Sequence, residues 1–314
     1  MKPAIAIVGA TGALGRAILE RLAESQLPCG QVFALASLDS AGDSVPFGRH
    51  DLDVQDVAEF DFSCAAIAVF AVPFAVAEQW RPAALAAGCK VLEYGAAPDC
   101  PRYVPSQPLA ETVQHIACPD PLALLLAKVL NPAAAFGLTS IDVTVLESVS
   151  SSGQAALDEL ADQTMALFNQ RGVDPSVFPA RIAFNAFPSV RENQALADEM
   201  RQLCHTDIPK IHVSRIQTPL FFGSSLTLHA QTQAKPDLEA LQLAFTSEAN
   251  VQSVADGYAA TPIDVIGSDK IALSQLRLRD DGLSGFSLWL SADNLRLASA
   301  VSVAVLRDWL AVAH

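Results

Sequence analysis

The chain has 314 residues, enough for about two domains at roughly 100 to 200 residues each. Hydrophobic residues make up 51% of it, yet the longest apolar stretch, Cys64 to Ala77, runs about 14 residues against the roughly 20 that a membrane-spanning helix needs. A formal net charge of −14 repels phosphodiester backbones and anionic lipid surfaces, which argues against nucleic acid and membrane as partners.

Met1-Lys2-Pro3 leads without any cleavage-like segment into a short apolar strand, Ile5 to Val8, so a cytoplasmic protein is expected. Six cysteines (Cys29, Cys64, Cys89, Cys100, Cys118, Cys204) include no C-x-x-C pair and are expected as free thiols. A glycine-rich turn follows the strand. The next predicted element is a helix from Ala13 to Ser25 with Leu14, Ile18, Leu19 and Leu22 on one face. Strands at Gln31 to Ala36, Ala65 to Val72 and Lys90 to Glu93, with a helix near Pro73 to Ala87, continue an alternation that implies a parallel sheet covered by helices.

The pattern changes after Pro119-Asp120-Pro121. A helix from Leu122 to Val129, a strand from Ser140 to Val149 and a helix from Gln154 to Asn169 precede three alternating runs typical of an antiparallel sheet, Ile211 to Thr218, Ser225 to Ala230 and Phe286 to Ser291. Asn294 to Val312 carries Leu295, Ala298, Val301, Val305 and Trp309 at helical spacing and is expected to pack back on the first domain. The fold class is therefore α/β, a Rossmann-like dinucleotide-binding domain joined to a second, α+β domain. The boundaries are 1–121 plus 294–314 for the first and 122–293 for the second.

Gly9-Ala10-Thr11-Gly12-Ala13-Leu14-Gly15 lies between strand and helix, where small residues let the backbone approach a pyrophosphate at a helix N-terminus. The same loop also serves as a tight turn with close helix packing. As a nucleotide site its contacts are Gly9, Thr11, Gly12, Ala13 and Leu14, with Ser37 and Asp39 after the second strand, where an adenosine ribose lies. A carboxylate at Asp39 or Asp43 repels a 2′-phosphate and can accept from a 2′-hydroxyl, so NADP is disfavoured and weak NAD binding is allowed; both carboxylates facing solvent is an equally weighted alternative.

Several stretches together resemble the aspartate-semialdehyde dehydrogenase family: Gly9 to Gly15, Leu35 to Gly42, Ile116 to Leu130, Leu146 to Gly153 with Asp158 to Thr164, Arg181 to Pro188, Pro219 to Ser225 and Ser291 to Arg296. They occur in the family's order over nearly the whole chain. The resemblance implies a second domain that mediates dimerisation. It also implies reductive dephosphorylation of aspartyl phosphate with NADPH through a cysteine nucleophile, a histidine acid/base and anion-holding arginines. Such chemistry needs a thiolate to attack the carbonyl carbon and an imidazole to move the proton near neutral pH.

This chain departs from that pattern at each position. The family's Asn-Pro-Asn-Cys reads Cys118-Pro119-Asp120-Pro121, so the nucleophile position holds Pro121. The Gly-His-Ser of the family reads Gly223-Ser224-Ser225, which puts Ser224 where the acid/base belongs. The substrate-gripping arginine is matched by Gln217 and the substrate-orienting glutamine by Glu147, an acid expected to repel an anionic substrate. The third-loop phosphate arginine has no counterpart in Gly95 to Asp99, and the 2′-phosphate arginine falls on Asp39. The nearest branch is the Usg type, in which the cysteine is already replaced.

Two readings follow. The first is a catalytically inactive homodimer acting as scaffold or regulatory paralogue in amino-acid biosynthesis, with hetero-association beside an active relative allowed. The alternative is an active NAD-dependent semialdehyde oxidoreductase whose thiolate comes from Cys118, with His115, His205, His212 and His229 as bases by type alone. No His, Cys or carboxylate pair shows ligand spacing, so no metal is expected, and Asp158-Glu159 and Asp280-Asp281 read as solvated charge.

Overall fold

The structure, a computed structural model, describes residues 2–312 apart from 96–99, 106, 108, 256, 257, 259 and 281. The chain divides into two compact units, Met1–Pro119 with Ala298–His314, and Asp120–Leu297.

In the first unit the elements run β1 (Ile5–Val8), α1 (Ala13–Ser25), β2 (Val32–Ala36), β3 (Ser44–Phe47), β4 (His50–Asp56), β5 (Ile67–Phe70), α2 (Phe74–Ala86), β6 (Lys90–Glu93) and β7 (His115–Ala117). They form a sheet of order β3-β4-β2-β1-β5-β6-β7, parallel except for the antiparallel β3–β4 pair. β1 and β5 are buried along their whole length, which is why they read as unbroken apolar runs. Helix α1 buries Ile18, Leu19 and Leu22, each contributing about 1.5–3 kcal/mol by leaving water. The β3–β4 hairpin is faint in sequence, because His50 to Asp56 buries only Val54.

The second unit contains α3 (Pro121–Ala133), β8 (Leu138–Glu147), α4 (Gln154–Phe168), β9 (Phe187–Pro188), α5 (Asn193–Leu203), β10 (Lys210–Gln217), β11 (Ser224–Thr232), α6 (Leu238–Thr246), β12 (Val251–Ser253), β13 (Ile271–Leu278) and β14 (Gly285–Ala292). Its sheet has the order β12-β13-β14-β11-β8-β10-β9. The expectation of an antiparallel sheet needs correction here. β11 lies antiparallel to both β8 and β14, but β10 runs parallel to β8 and β12 parallel to β13. Alternation along a strand reports which face is buried and is blind to the direction of the neighbour.

The last helix, α7 (Asn294–Val312), continues into the first unit, where the Tyr94 hydroxyl donates to the Ala298 carbonyl at 2.6 Å and Lys90 Nζ lies 5.8 Å from the Trp309 ring centroid.

Candidate functional site

In the glycine loop, Gly9 adopts φ +85°, and a Cβ there would meet Val72 Cγ1 at 2.6 Å and the Ala71 carbonyl oxygen at 2.8 Å. At Gly15 a Cβ would fall 2.0 Å from the Gly9 oxygen, so this glycine lets α1 sit against the loop. Gly12, at the N-cap of α1, is different: its Cβ would find only the Gly9 oxygen, at 3.4 Å. The loop closes through Gly12 N–H to the Gly9 carbonyl at 3.1 Å and Arg16 Nε to the Thr11 carbonyl at 2.8 Å. Ala13 and Leu14 open the helix, so their amides point at the space before its N-terminus, where the helix dipole favours an anion. Ser37 and Asp39 are exposed just past β2, Asp39 in a short 3-10 turn, Leu38–Ser40. The open backbone at Gly12 and the free helix start fit a dinucleotide pyrophosphate.

Three of the family-matched substrate and catalytic positions meet at adjacent strand ends in the second unit. Glu147 ends β8 and Gln217 ends β10, directly opposite each other in the parallel register. β11 pairs with β8 at Ser225 and Leu146, so Ser224 stands beside the Glu147 end of that strand. Pro121 occupies the first turn of α3, where its fixed φ suits a helix start and its missing N–H costs nothing. The preceding residue, Asp120, caps that helix by accepting from the Leu122 amide at 2.8 Å.

Around these positions lies an ionic network, buried except at the exposed Arg191. Arg215 Nε donates to Glu147 Oε1 at 2.7 Å, its Nη2 also pairs with that carboxylate, and Nη2 reaches Asp120 Oδ2 at 3.2 Å. Arg191 adds contacts of 3.4 Å to Asp120 and 3.6 Å to Glu147, and the Ser189 hydroxyl donates to Glu147 at 2.9 Å. Glu199 accepts from the Asp120 amide at 2.6 Å. Burial alone would raise the Asp120 carboxyl, but Arg191 and Arg215 outweigh it and hold Asp120 below the usual carboxylate range. Glu147 is thus a paired carboxylate, and the repulsion expected of it toward an anion is offset by two guanidiniums. Gln217 Nε2 donates to the Glu147 carbonyl at 3.1 Å, and Ser224 Oγ, fully buried, has no hydrogen-bond partner among the described residues.

Cys118 lies in the first unit just past β7, buried, with its amide donating to the Glu93 carbonyl at 2.8 Å. Burial first, and then the neighbouring Cys118 sulfur, push the Tyr94 hydroxyl well above its ordinary range. Strand alternation sends Tyr94 and Cys118 to one side of the sheet and Glu93 and His115 to the other.

On that other side, Arg81 Nη1 donates to both Glu93 oxygens at 3.0 Å, His115 Nε2 lies 3.3 Å from Glu93 Oε1, and Cys100 Sγ lies 3.4 Å from the same nitrogen. The Cys100 and Glu93 contacts together lift His115 to about 9 against the opposing effect of burial. Sequence spacing does not reveal this group, because its members meet only through strand pairing. Glu159, expected in solvent, is buried and accepts from the amides of Ser176 and Val177 and from the Ser176 hydroxyl. Of the other expectations, Ala96 to Asp99 and Asp281 lie outside the described residues.

A family profile described as "Semialdehyde dehydrogenase, NAD binding domain" matches residues 4–105, and one described as "Semialdehyde dehydrogenase, dimerisation domain" matches residues 129–297. The chain belongs to the aspartate-semialdehyde dehydrogenase family. It is 31% identical to an aspartate-semialdehyde dehydrogenase of Legionella pneumophila over 98% of this chain and 95% of the relative. It is 34% identical to a USG-1 protein homolog of Azotobacter vinelandii, over 99% of this chain and 98% of the relative. The structure of a probable aspartate-semialdehyde dehydrogenase from Pseudomonas aeruginosa superposes with a TM-score of 0.88 at 30% identity, covering 100% of this chain and 99% of that one. The Rossmann-like domain with a dimerisation domain is thus the family's architecture, and no helix among the described residues is long and apolar enough to cross a membrane.

Proposed function

We propose that this chain is a homodimeric member of the family that has lost the family reaction and acts in the cytoplasm as a scaffold or regulatory paralogue, keeping weak NAD binding. The observation that carries this reading is the set of side chains at the family-matched positions. Pro121 has no nucleophile, and the Ser224 hydroxyl is buried without a partner and cannot titrate near pH 7. Gln217 and Glu147 spend their polar groups on Arg215, Arg191, Ser189 and the backbone. Asp120 and Glu147 already engage both guanidiniums there, so an anionic substrate would have to compete with two carboxylates for them.

The geometry disfavours Cys118 as a substitute nucleophile. Its side chain is buried next to the Tyr94 hydroxyl, and the nearest histidine in sequence, His115, faces the opposite side of the sheet.

Dimerisation is supported by an exposed apolar surface in the matched dimerisation domain. Phe168 and Phe184, 77% and 65% exposed, stack edge to face at 5.9 Å, and Met165 shares the Phe168 face of α4. The loop that carries Phe184 is held by Gln163 Oε1, which accepts from the Ile182 and Ala183 amides at 2.9 and 3.1 Å. Association with an active family member through the same surface is the form a regulatory role takes.

The test is a steady-state assay of the purified protein with aspartate semialdehyde, phosphate and either NAD or NADP, beside a Cys118→Ala variant. No turnover above the variant is expected; cofactor reduction abolished in Cys118→Ala would establish an active dehydrogenase with a relocated nucleophile.

A further inference from the structure

The cluster on the α2 side of the first unit shares only His115 with the two readings of the family site, and there His115 is a candidate base by residue type alone, facing away from Cys118. β6 and β7 pair in parallel with Val91 opposite His115 and Glu93 opposite Ala117, so Glu93 and His115 project from the same face of neighbouring strands. The chain then adds Cys100 by a second route. The Ala117 amide donates to the Pro101 carbonyl at 2.7 Å and the Tyr103 amide to the Ala117 carbonyl at 2.9 Å, which lays residues 101–103 along the free edge of β7 and sets Cys100 beside the imidazole. One thiol, one imidazole and one carboxylate thereby present a ligand atom each, all within 4.8 Å of one another.

We propose that Cys100, His115 and Glu93 form a binding site for a divalent transition-metal cation of the zinc class. Three features support it. The first is separation. Zn–S of ~2.3 Å with Zn–N and Zn–O of ~2.0–2.2 Å imply tetrahedral edges of ~3.3–3.6 Å. His115 Nε2 stands 3.4 Å from the Cys100 sulfur and 3.3 Å from Glu93 Oε1, so one nitrogen already sits at edge distance from both other ligands.

The second is the donor set. Thiolate and imidazole select borderline-soft ions over magnesium or calcium, and a carboxylate completes a mixed set of three that leaves a fourth position for water.

The third is the surrounding support. Ligating carboxylates are themselves held by outer hydrogen bonds, and Arg81 supplies one: its Nη1 bonds both Glu93 oxygens while its guanidinium lies 5.6 Å from the Phe74 ring centroid. Glu93 can give Oε1 to the ion and keep Oε2 on Arg81. On loading, the thiol gives its proton to water and binds as thiolate.

The full chain, freed of metal with a chelator and returned to buffer under a reductant that does not bind metal, is titrated with cobalt(II) as a spectroscopic probe and with zinc(II) as its competitor. The expected result is one equivalent of cobalt giving a thiolate-to-cobalt charge-transfer band in the near ultraviolet, displaced by one equivalent of zinc. Cys100→Ala removes the band and His115→Gln weakens binding at least tenfold. Cys64→Ala and Cys29→Ala, at cysteines that are not fully buried, leave both unchanged. Circular dichroism of each variant checks the fold. A wild-type chain that shows no such band, or a band that persists in a folded Cys100→Ala variant, overturns the site. If Cys100→Ala fails to fold, Cys100→Ser takes its place, and a band that persists in the folded serine variant likewise overturns the site.

Discussion

Arg215 and Glu147 form a buried ion pair across the parallel strands β10 and β8, with Nε and Oε1 2.7 Å apart, and Arg215 stands two residues before Gln217 on the same strand face. The arginine that the resemblance expects at Gln217 has in effect a neighbour on the same face, but its guanidinium is already engaged by Glu147 and Asp120. Breaking a buried pair from one side costs about 3–5 kcal/mol when no other countercharge remains, and less where, as here, Asp120 still faces Arg215; replacing both partners by apolar residues of similar volume is often nearly neutral. Glu147→Gln is therefore expected to lower the midpoint of thermal unfolding, and Glu147→Leu with Arg215→Met, which leaves Asp120 on Arg191, to recover part of the loss. A single variant as stable as the parent would show that the network contributes little.

Asp120 gives the acid side of the stability curve. Its carboxyl is held below the ordinary range in the folded chain, so it binds fewer protons folded than unfolded there. A depressed carboxylate contributes stability that is fully present above the unfolded pKa of ~3.9 and is lost as the pH falls through the folded value. Thermal melts of the parent and Asp120→Asn should differ by a constant amount at pH 5 to 7, with the gap closing below about pH 4. A gap that stays constant to pH 3 would contradict the assignment.

The proposed preference for NAD over NADP can be tested at Asp39. A carboxylate exposed past β2 disfavours a 2′-phosphate, and an arginine there supplies a partner for it. By calorimetric titration, Asp39→Arg is expected to shift the ratio of NADP to NAD affinity by at least about tenfold, ~1.4 kcal/mol, toward NADP. No change in the ratio would mean that the side chain lies away from the ribose.

The exposed aromatic pair predicts the oligomer. Phe168→Asp or Phe184→Asp places a charge in the centre of the apolar surface, and light scattering after size exclusion should move from a dimer mass toward a monomer mass at micromolar concentration. A dimer that withstands both substitutions would place the interface elsewhere in the second unit.

The first unit was the more legible in sequence, because β1 and β5 are buried on both faces and α1 follows a single apolar stripe. β4, paired between β3 and β2, is faint in sequence because only Leu52 and Val54 break a run of polar residues and only Val54 is buried. In the second unit, pattern alone located β8, β10, β11 and β14 but not their directions. In sequence Glu147 is an acid with no visible partner, because Arg215 lies 68 residues away and is joined to it only by β8–β10 pairing. The Cys100, His115 and Glu93 group was hidden for the same reason: local spacing detects ligands that share a turn or helix, and these come from two strands and a flanking segment.

The glycine loop separates two kinds of evolutionary constraint. Gly9 and Gly15 are excluded from holding a side chain by the protein's own atoms, Val72 and the Ala71 carbonyl at one and the Gly9 carbonyl at the other. A lineage released from its cofactor would retain both under purifying selection for folding alone. Gly12 meets no such obstruction and would be free to drift. Among descendants of this chain, the residue at position 12 is the informative character for nucleotide use, while the fingerprint as a whole persists as a fossil of it.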